Sequence, residues 1–155
     1  MPSLSHAYGA AVLALTVAAC SACAATAPRE ADTTALHDLY GFITWSCDRP
    51  EPQWFISRLA HADAVTLRST IAHEESHRAL MMALGCEVYQ EWRKDVTSRV
   101  VIEALAFCAS AREMVTSGVP ADQALARVSR QMTHPSYGFN LAPDEAAALI
   151  VAVCP

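Results

Sequence analysis

The chain has 155 residues, 53% of them hydrophobic, which is enough for one domain with a packed core. Its net charge is −5, and no basic stripe or polybasic patch interrupts it, so a nucleic-acid partner is not expected.

In chain order, residues 1–24 read as an export signal. Ala10 to Ala19 is a short apolar run followed by small residues, too short to span a bilayer. Two exits are open. Val17-Ala18-Ala19-Cys20 resembles a bacterial lipobox, in which Cys20 becomes the lipidated first residue and gives the only membrane attachment expected. The alternative is cleavage after Ala24 and release to the periplasm or the exterior. Cleavage there leaves Cys47, Cys86, Cys108 and Cys154, an even set that reads as two disulfides with three pairings open. Lipidation leaves Cys23 as an odd thiol. A zinc–thiolate site is the competing use, but the four cysteines are isolated, with no C-x-x-C spacing.

Residues 25–34 are expected to be loose, and 35–155 to form a single domain. Ala35 to Tyr40 suits a short helix. Gly41-Phe42-Ile43-Thr44-Trp45 has the composition of a strand but suits a buried aromatic segment better. Cys47 to Pro52 is a turn, and Pro52 is placed to open a helix through Gln53 to Leu59. His61 reads as a surface or helix-end residue. A long helix is predicted from Asp63, its N-cap, to Leu84, with Gly85 as the stop and Cys86 placed to staple the turn. Glu87 to Trp92 is ambiguous between strand and helix. A second long helix runs from Asp95 to Ser117-Gly118, and a third follows Pro120 through Met132. Thr133 to Asn140 is a loop, and Pro143-Asp144-Glu145 opens a last helix ending near Cys154. The expected fold class is therefore mainly α, or α+β if a short strand or hairpin forms.

The first long helix contains His73-Glu74-Glu75-Ser76-His77, the H-E-x-x-H pattern. Residues four apart lie about 40° apart around a helix, so both imidazoles leave one face and can close on one cation. Glu74 lies about 100° round from His73, the place for a general base that reaches a water without binding the metal. The competing reading is an exposed polar patch on an amphipathic helix. A catalytic zinc needs a third protein ligand, and Glu103, 26 residues after His77 on the second long helix, is the strongest candidate. Its own competing reading is a lone exposed carboxylate.

His73-Glu74-x-x-His77 followed by Glu103-x-x-Ala106 resembles the gluzincin branch of zinc metallopeptidases over about Ala72 to Ala106. The resemblance implies a compact zincin-like domain, Zn2+ held by His73, His77 and Glu103, and hydrolysis of a peptide or protein substrate with Glu74 as base. Its small residue, Ala106, lets two helices approach. Phe107 stands where one version of the family has an Asp that orients the ligands, so orientation must come from elsewhere. Leu80 and Ala83 replace the Gly and His of the metzincin extension, so Met132 is no Met-turn. In related hydrolases a loop His or Tyr stabilises the oxyanion, and His134 and Tyr137 are the candidates, with Tyr89 weaker. Two other classes stay open: a non-catalytic helical envelope protein with a structural zinc or no metal, and a zinc hydrolase acting on another bond.

Overall fold

The computed structural model describes residues 29–30 and 40–154. The expected export signal, the lipobox cysteine Cys20 and almost all of the expected helix from Ala35 to Tyr40 lie outside them. Among the described residues are five α-helices and a three-stranded sheet, so the fold is mainly helical with a small β element. None of these helices is long and apolar enough to cross a membrane.

Helix α1, Ala64–Leu84, begins where the sequence places it. The Asp63 carboxylate accepts from the Thr66 N–H at 2.8 Å, and Gly85 ends the helix at φ 81°, its N–H bonded to the Met81 carbonyl. The ambiguous segment after it is helical: α2 is Cys86–Trp92. Helix α3, Val96–Thr116, is capped by Asp95, whose carboxylate accepts from the Ser98 N–H at 2.7 Å. Helices α4, Ala121–Met132, and α5, Pro143–Val153, complete the set, and the Glu145 carboxylate accepts from the Ala142 N–H at the start of α5. The main core is built from α3, α4 and α5 around Phe107, Met114, Val128, Met132 and Ile150.

Helix α1 packs on α3 more extensively than any other pair of elements. The two run antiparallel, as the pairings Arg68–Glu113, Ser69–Ser110 and His77–Glu103 show. Ala106, three residues after Glu103 and four before Ser110, is completely buried on α3, and the Ser110 hydroxyl donates to the Ser69 carbonyl at 2.9 Å. Small side chains and one direct hydrogen bond to the backbone thus set how closely the two axes come.

The sheet corrects three expectations. Strand β1 is Arg29–Glu30, within the segment expected to be loose. Strand β2, Gly41–Thr44, forms where a buried aromatic segment was favoured, and β3, Gln53–Ile56, replaces the helix expected after Pro52. The order is β1-β3-β2, with β2 antiparallel to β3 from Gly41↔Ile56 to Thr44↔Gln53 and β1 parallel to it. The reason lies in the period of the side chains. Trp54 and Ile56 alternate into a small core with Ala60, Leu67 and Ile71, while Phe55 stacks on Phe42 at 4.7 Å. Two-residue alternation with a partner strand satisfies both backbone and side chains, which an isolated helix of about two turns cannot match. Only Arg58–Ala62 winds up, as a 3₁₀ turn capped by Ser57.

Two disulfides select one of the three pairings. Cys47–Cys86 ties the β2–β3 turn to the α1–α2 junction, and Cys108–Cys154 ties α3 to the end of α5. They close loops of 39 and 46 residues, for which loop entropy alone gives about 4 kcal/mol each. Replacing Cys108 and Cys154 together by alanine is expected to lower the unfolding free energy by about 2–5 kcal/mol, read from the urea midpoint. An unshifted midpoint would show that this bond does not carry the α3–α5 packing.

Candidate metal centre

His73 and His77 stand one turn apart on α1, and Glu103 faces them from α3. The patch is buried: His73, His77 and Glu74 are 8%, 5% and 3% exposed, so the exposed-patch reading of the motif does not hold. The His73 Nε2 and His77 Nε2 atoms lie 3.1 Å apart, and Glu103 Oε2 lies 3.3 Å from the first and 3.4 Å from the second. Ligand atoms around a tetrahedral zinc, with bonds of about 2.0–2.1 Å, are separated by about 3.3 Å. The three donors therefore already stand at the spacing such an ion requires.

The hydrogen bonding points the same way. Glu103 Oε2 is buried and has no aligned donor, although two imidazole nitrogens are within 3.4 Å. Two imidazole nitrogens and a carboxylate oxygen crowd within 3.4 Å of one another, an arrangement that costs free energy unless a proton or a cation lies between them. These three are the His, Cys, Asp and Glu side chains that converge in this way among the described residues. His61, as expected, is exposed and takes no part.

Electrostatics follow from burial and from this contact. Burial alone would raise the Glu103 pKa, but the adjacent His77 and His73 outweigh it and hold the carboxyl well below its usual range. Burial likewise opposes protonation of His77, yet the Glu103 carboxylate overrides it and the net direction is upward. Glu74 differs: burial dominates and raises its pKa, against the lowering effect of both histidines.

What orients these groups was only partly anticipated. The Phe107 ring packs edge-on to the His73 ring at 4.6 Å and to Tyr137 at 5.6 Å, so the residue standing where an orienting Asp was sought orients by contact instead. His77 Nδ1 is buried without a partner and has no carboxylate behind it. Gly41, whose role went unread in the sequence, lies against Glu74. A Cβ there would come within 2.9 Å of Glu74 Oε1, 3.0 Å of Thr70 Cγ2 and 3.1 Å of the Phe55 carbonyl oxygen. The absence of a side chain at position 41 is what lets β2 close over Glu74.

Two clefts meet at this centre, one of about 760 Å³ and one of about 200 Å³, and Gly41, His73, Glu74, Ser136 and Tyr137 border both. Of the two loop candidates, Tyr137 is brought to the junction. Burial, with Glu103 and Glu74 nearby, pushes its phenol far above the usual range, so it stays protonated. His134 sits at the exposed rim of the larger cleft only, where its Nδ1 accepts from the Ser136 N–H and caps the 3₁₀ turn Pro135–Tyr137. Tyr89 is buried in the smaller cleft, its phenol pushed up to about 12 by burial. Comparisons with models of known families, with curated proteins and with solved structures find no match.

Two outcomes are expected. Gly41→Ala should destabilise the fold by about 1–3 kcal/mol through overpacking against Glu74, measured by thermal or urea unfolding. In EDTA, stability should fall as pH rises above about 6.5. His77 has a raised folded pKa, so its contribution is complete below the unfolded value and is lost as pH climbs through the folded one. Glu103, with its depressed pKa, keeps its contribution above about pH 4.5 and loses it only as pH falls through the folded value. Glu74, with its raised pKa, adds a slope of the same sign from about pH 4.5 upward. Melting curves that are flat in the wild type, or whose slope above about pH 6.5 is as steep in His77→Ala, would contradict this origin of the pH dependence.

Proposed function

We propose that the chain is an exported, zinc-dependent metallopeptidase of gluzincin type that hydrolyses peptide bonds. The observation that carries this reading is the triangle of His73 Nε2, His77 Nε2 and Glu103 Oε2, with sides of 3.1 to 3.4 Å, beside a buried glutamate at the junction of two clefts. Zinc, when bound, supplies Lewis-acid polarisation of a carbonyl and makes water more acidic.

The protein's own groups divide the remaining work. His73, His77 and Glu103 hold the ion. Glu74 accepts a proton from the attacking water and returns it to the leaving amine, and its raised pKa moves a carboxylate toward the range where both transfers are efficient. The protonated phenol of Tyr137 is available to donate a hydrogen bond to the oxygen that gains negative charge at the carbonyl. His134 supports that step from a distance by capping the turn that carries Tyr137.

Strand β2 gives the substrate a track. Its one partner among the described residues is β3, which leaves the other edge of Gly41–Thr44 for an extended peptide pairing through main-chain hydrogen bonds. Two disulfides suit a compartment outside the reducing cytosol. A purely structural ion is served less well, because structural zinc sites usually close with four protein ligands, and three donors converge here among the described residues.

The wild-type protein is expected to take up one zinc per chain, and His77→Ala and Glu103→Ala each to lose it, by metal analysis after dialysis. Glu74→Gln should retain the zinc and lose at least about 100-fold in peptide hydrolysis. Full activity in that variant removes Glu74 as the base, and unchanged zinc in both ligand variants removes the centre.

A further inference from the structure

The smaller cleft contains two cations that the chemistry above does not use. Arg93 follows directly on α2, and Arg99 stands on α3 one turn before Glu103, which puts it on the same helical face as the third metal ligand. Neither arginine makes an ion pair among the described residues. Of the acids close in sequence, Asp95 caps α3 through the Ser98 N–H and hydroxyl, and Glu91 pairs with Lys94. The Arg99 guanidinium rests over the Phe139 ring at 5.8 Å, and its Nε is buried without a hydrogen-bond partner. Phe139 thus holds the side chain in place while part of its donor fork is left unmet.

The charges of this cleft do not balance once the site is loaded. Its other ionisable lining consists of His73, His77, Glu74, Glu103 and the two phenols of Tyr89 and Tyr137. Two arginines offset two glutamates, so the full charge of a divalent ion is left uncompensated. A small, partly dry concavity with that excess calls for an anion, and paired guanidinium groups match a carboxylate best. Size narrows the choice further. At about 200 Å³ the cleft falls below the range of about 300–1,000 Å³ that takes a drug-sized ligand, so it suits the end of a chain rather than its middle. The one carboxylate common to all unblocked peptides is at the C-terminus.

Resting on the metallopeptidase reading, we propose that Arg99 and Arg93 bind the C-terminal carboxylate of the substrate in the smaller cleft. The scissile bond then lies one or two residues from the chain end, the larger cleft holds the rest of the peptide, and the enzyme releases short C-terminal fragments. The balance is that of ordinary hydrolysis: the C–N bond breaks, water adds its hydroxyl to the acyl carbon, and its proton goes to the new amine.

The test uses a library of N-acetylated decapeptides of randomised sequence, made once with a free C-terminal carboxylate and once as the amide. Each is incubated with the zinc-loaded full chain and read by mass spectrometry. Loss of one or two C-terminal residues from the free-acid library, slowed by about tenfold or more in the amide library, is expected. Arg99→Gln and Arg93→Gln should each narrow that difference while keeping the zinc, and Arg93 is exposed enough for its variant to fold normally. Internal cuts at equal rates in both libraries leave the peptidase reading intact and overturn this one, as do internal cuts beside Asp or Glu in both, which would make the bound group a side-chain carboxylate. If neither library is cut, retention on zinc-loaded Glu74→Gln protein decides: preferential retention of the free acids supports the cleft assignment without peptide hydrolysis, and equal retention overturns it.

Discussion

The structure depends most on one buried contact, the carboxylate of Glu103 held between two imidazoles on the opposite helix. Removing a carboxylate from water is costly unless positive charge or donors replace the water. Here the replacement is incomplete, because Oε2 has both nitrogens within reach but no aligned donor. A protein of this size keeps such a group only if packing elsewhere stabilises it, and much of the remaining architecture serves that purpose.

That packing is strongest where α1 lies along α3. Alanine at 106, on the face of Glu103 and Ser110, brings the axes together, Ser110 fixes the register by bonding the Ser69 carbonyl, and Phe107 fills the space against His73. The disulfides act at the two ends of this pair. One ties α3 to α5 behind the core, and the other ties the strand turn to the point where α1 gives way to α2. Both restrain the backbone that carries His73, His77 and Glu103 without contributing a donor atom.

The small sheet supplies what a helical pair lacks, a flat edge beside a buried acid. Because position 41 has no side chain, β2 approaches close enough to share a wall with Glu74 and to divide the surface into two clefts of unequal size. The desolvation that raises the Glu74 pKa and the edge available to an extended peptide are therefore products of the same approach. Each cleft carries two arginines, Arg127 and Arg130 in the larger and Arg93 and Arg99 in the smaller, and only the second pair shares its cleft with His77 and Glu103.

What the sequence determined was whatever depends on neighbours along the chain. The cap at Asp63, the stop at Gly85, the spacing of His73, Glu74 and His77, and the limits of α3, α4 and α5 follow from local hydrogen bonding and a period of 3.6 residues. Glu103 as the converging acid was legible too, because its helix had to return along the first. The strands were not, since a four-residue run such as Gln53–Ile56 takes its conformation from its partner, and a proline before it mimics a helix start. Disulfide pairing, the closeness of Gly41 to Glu74, the packing of Phe107 on His73 and the places of Tyr137 at the junction of the clefts and His134 at the rim were decided only by the tertiary structure. Each is a distance between residues far apart in sequence, and no local periodicity encodes such distances.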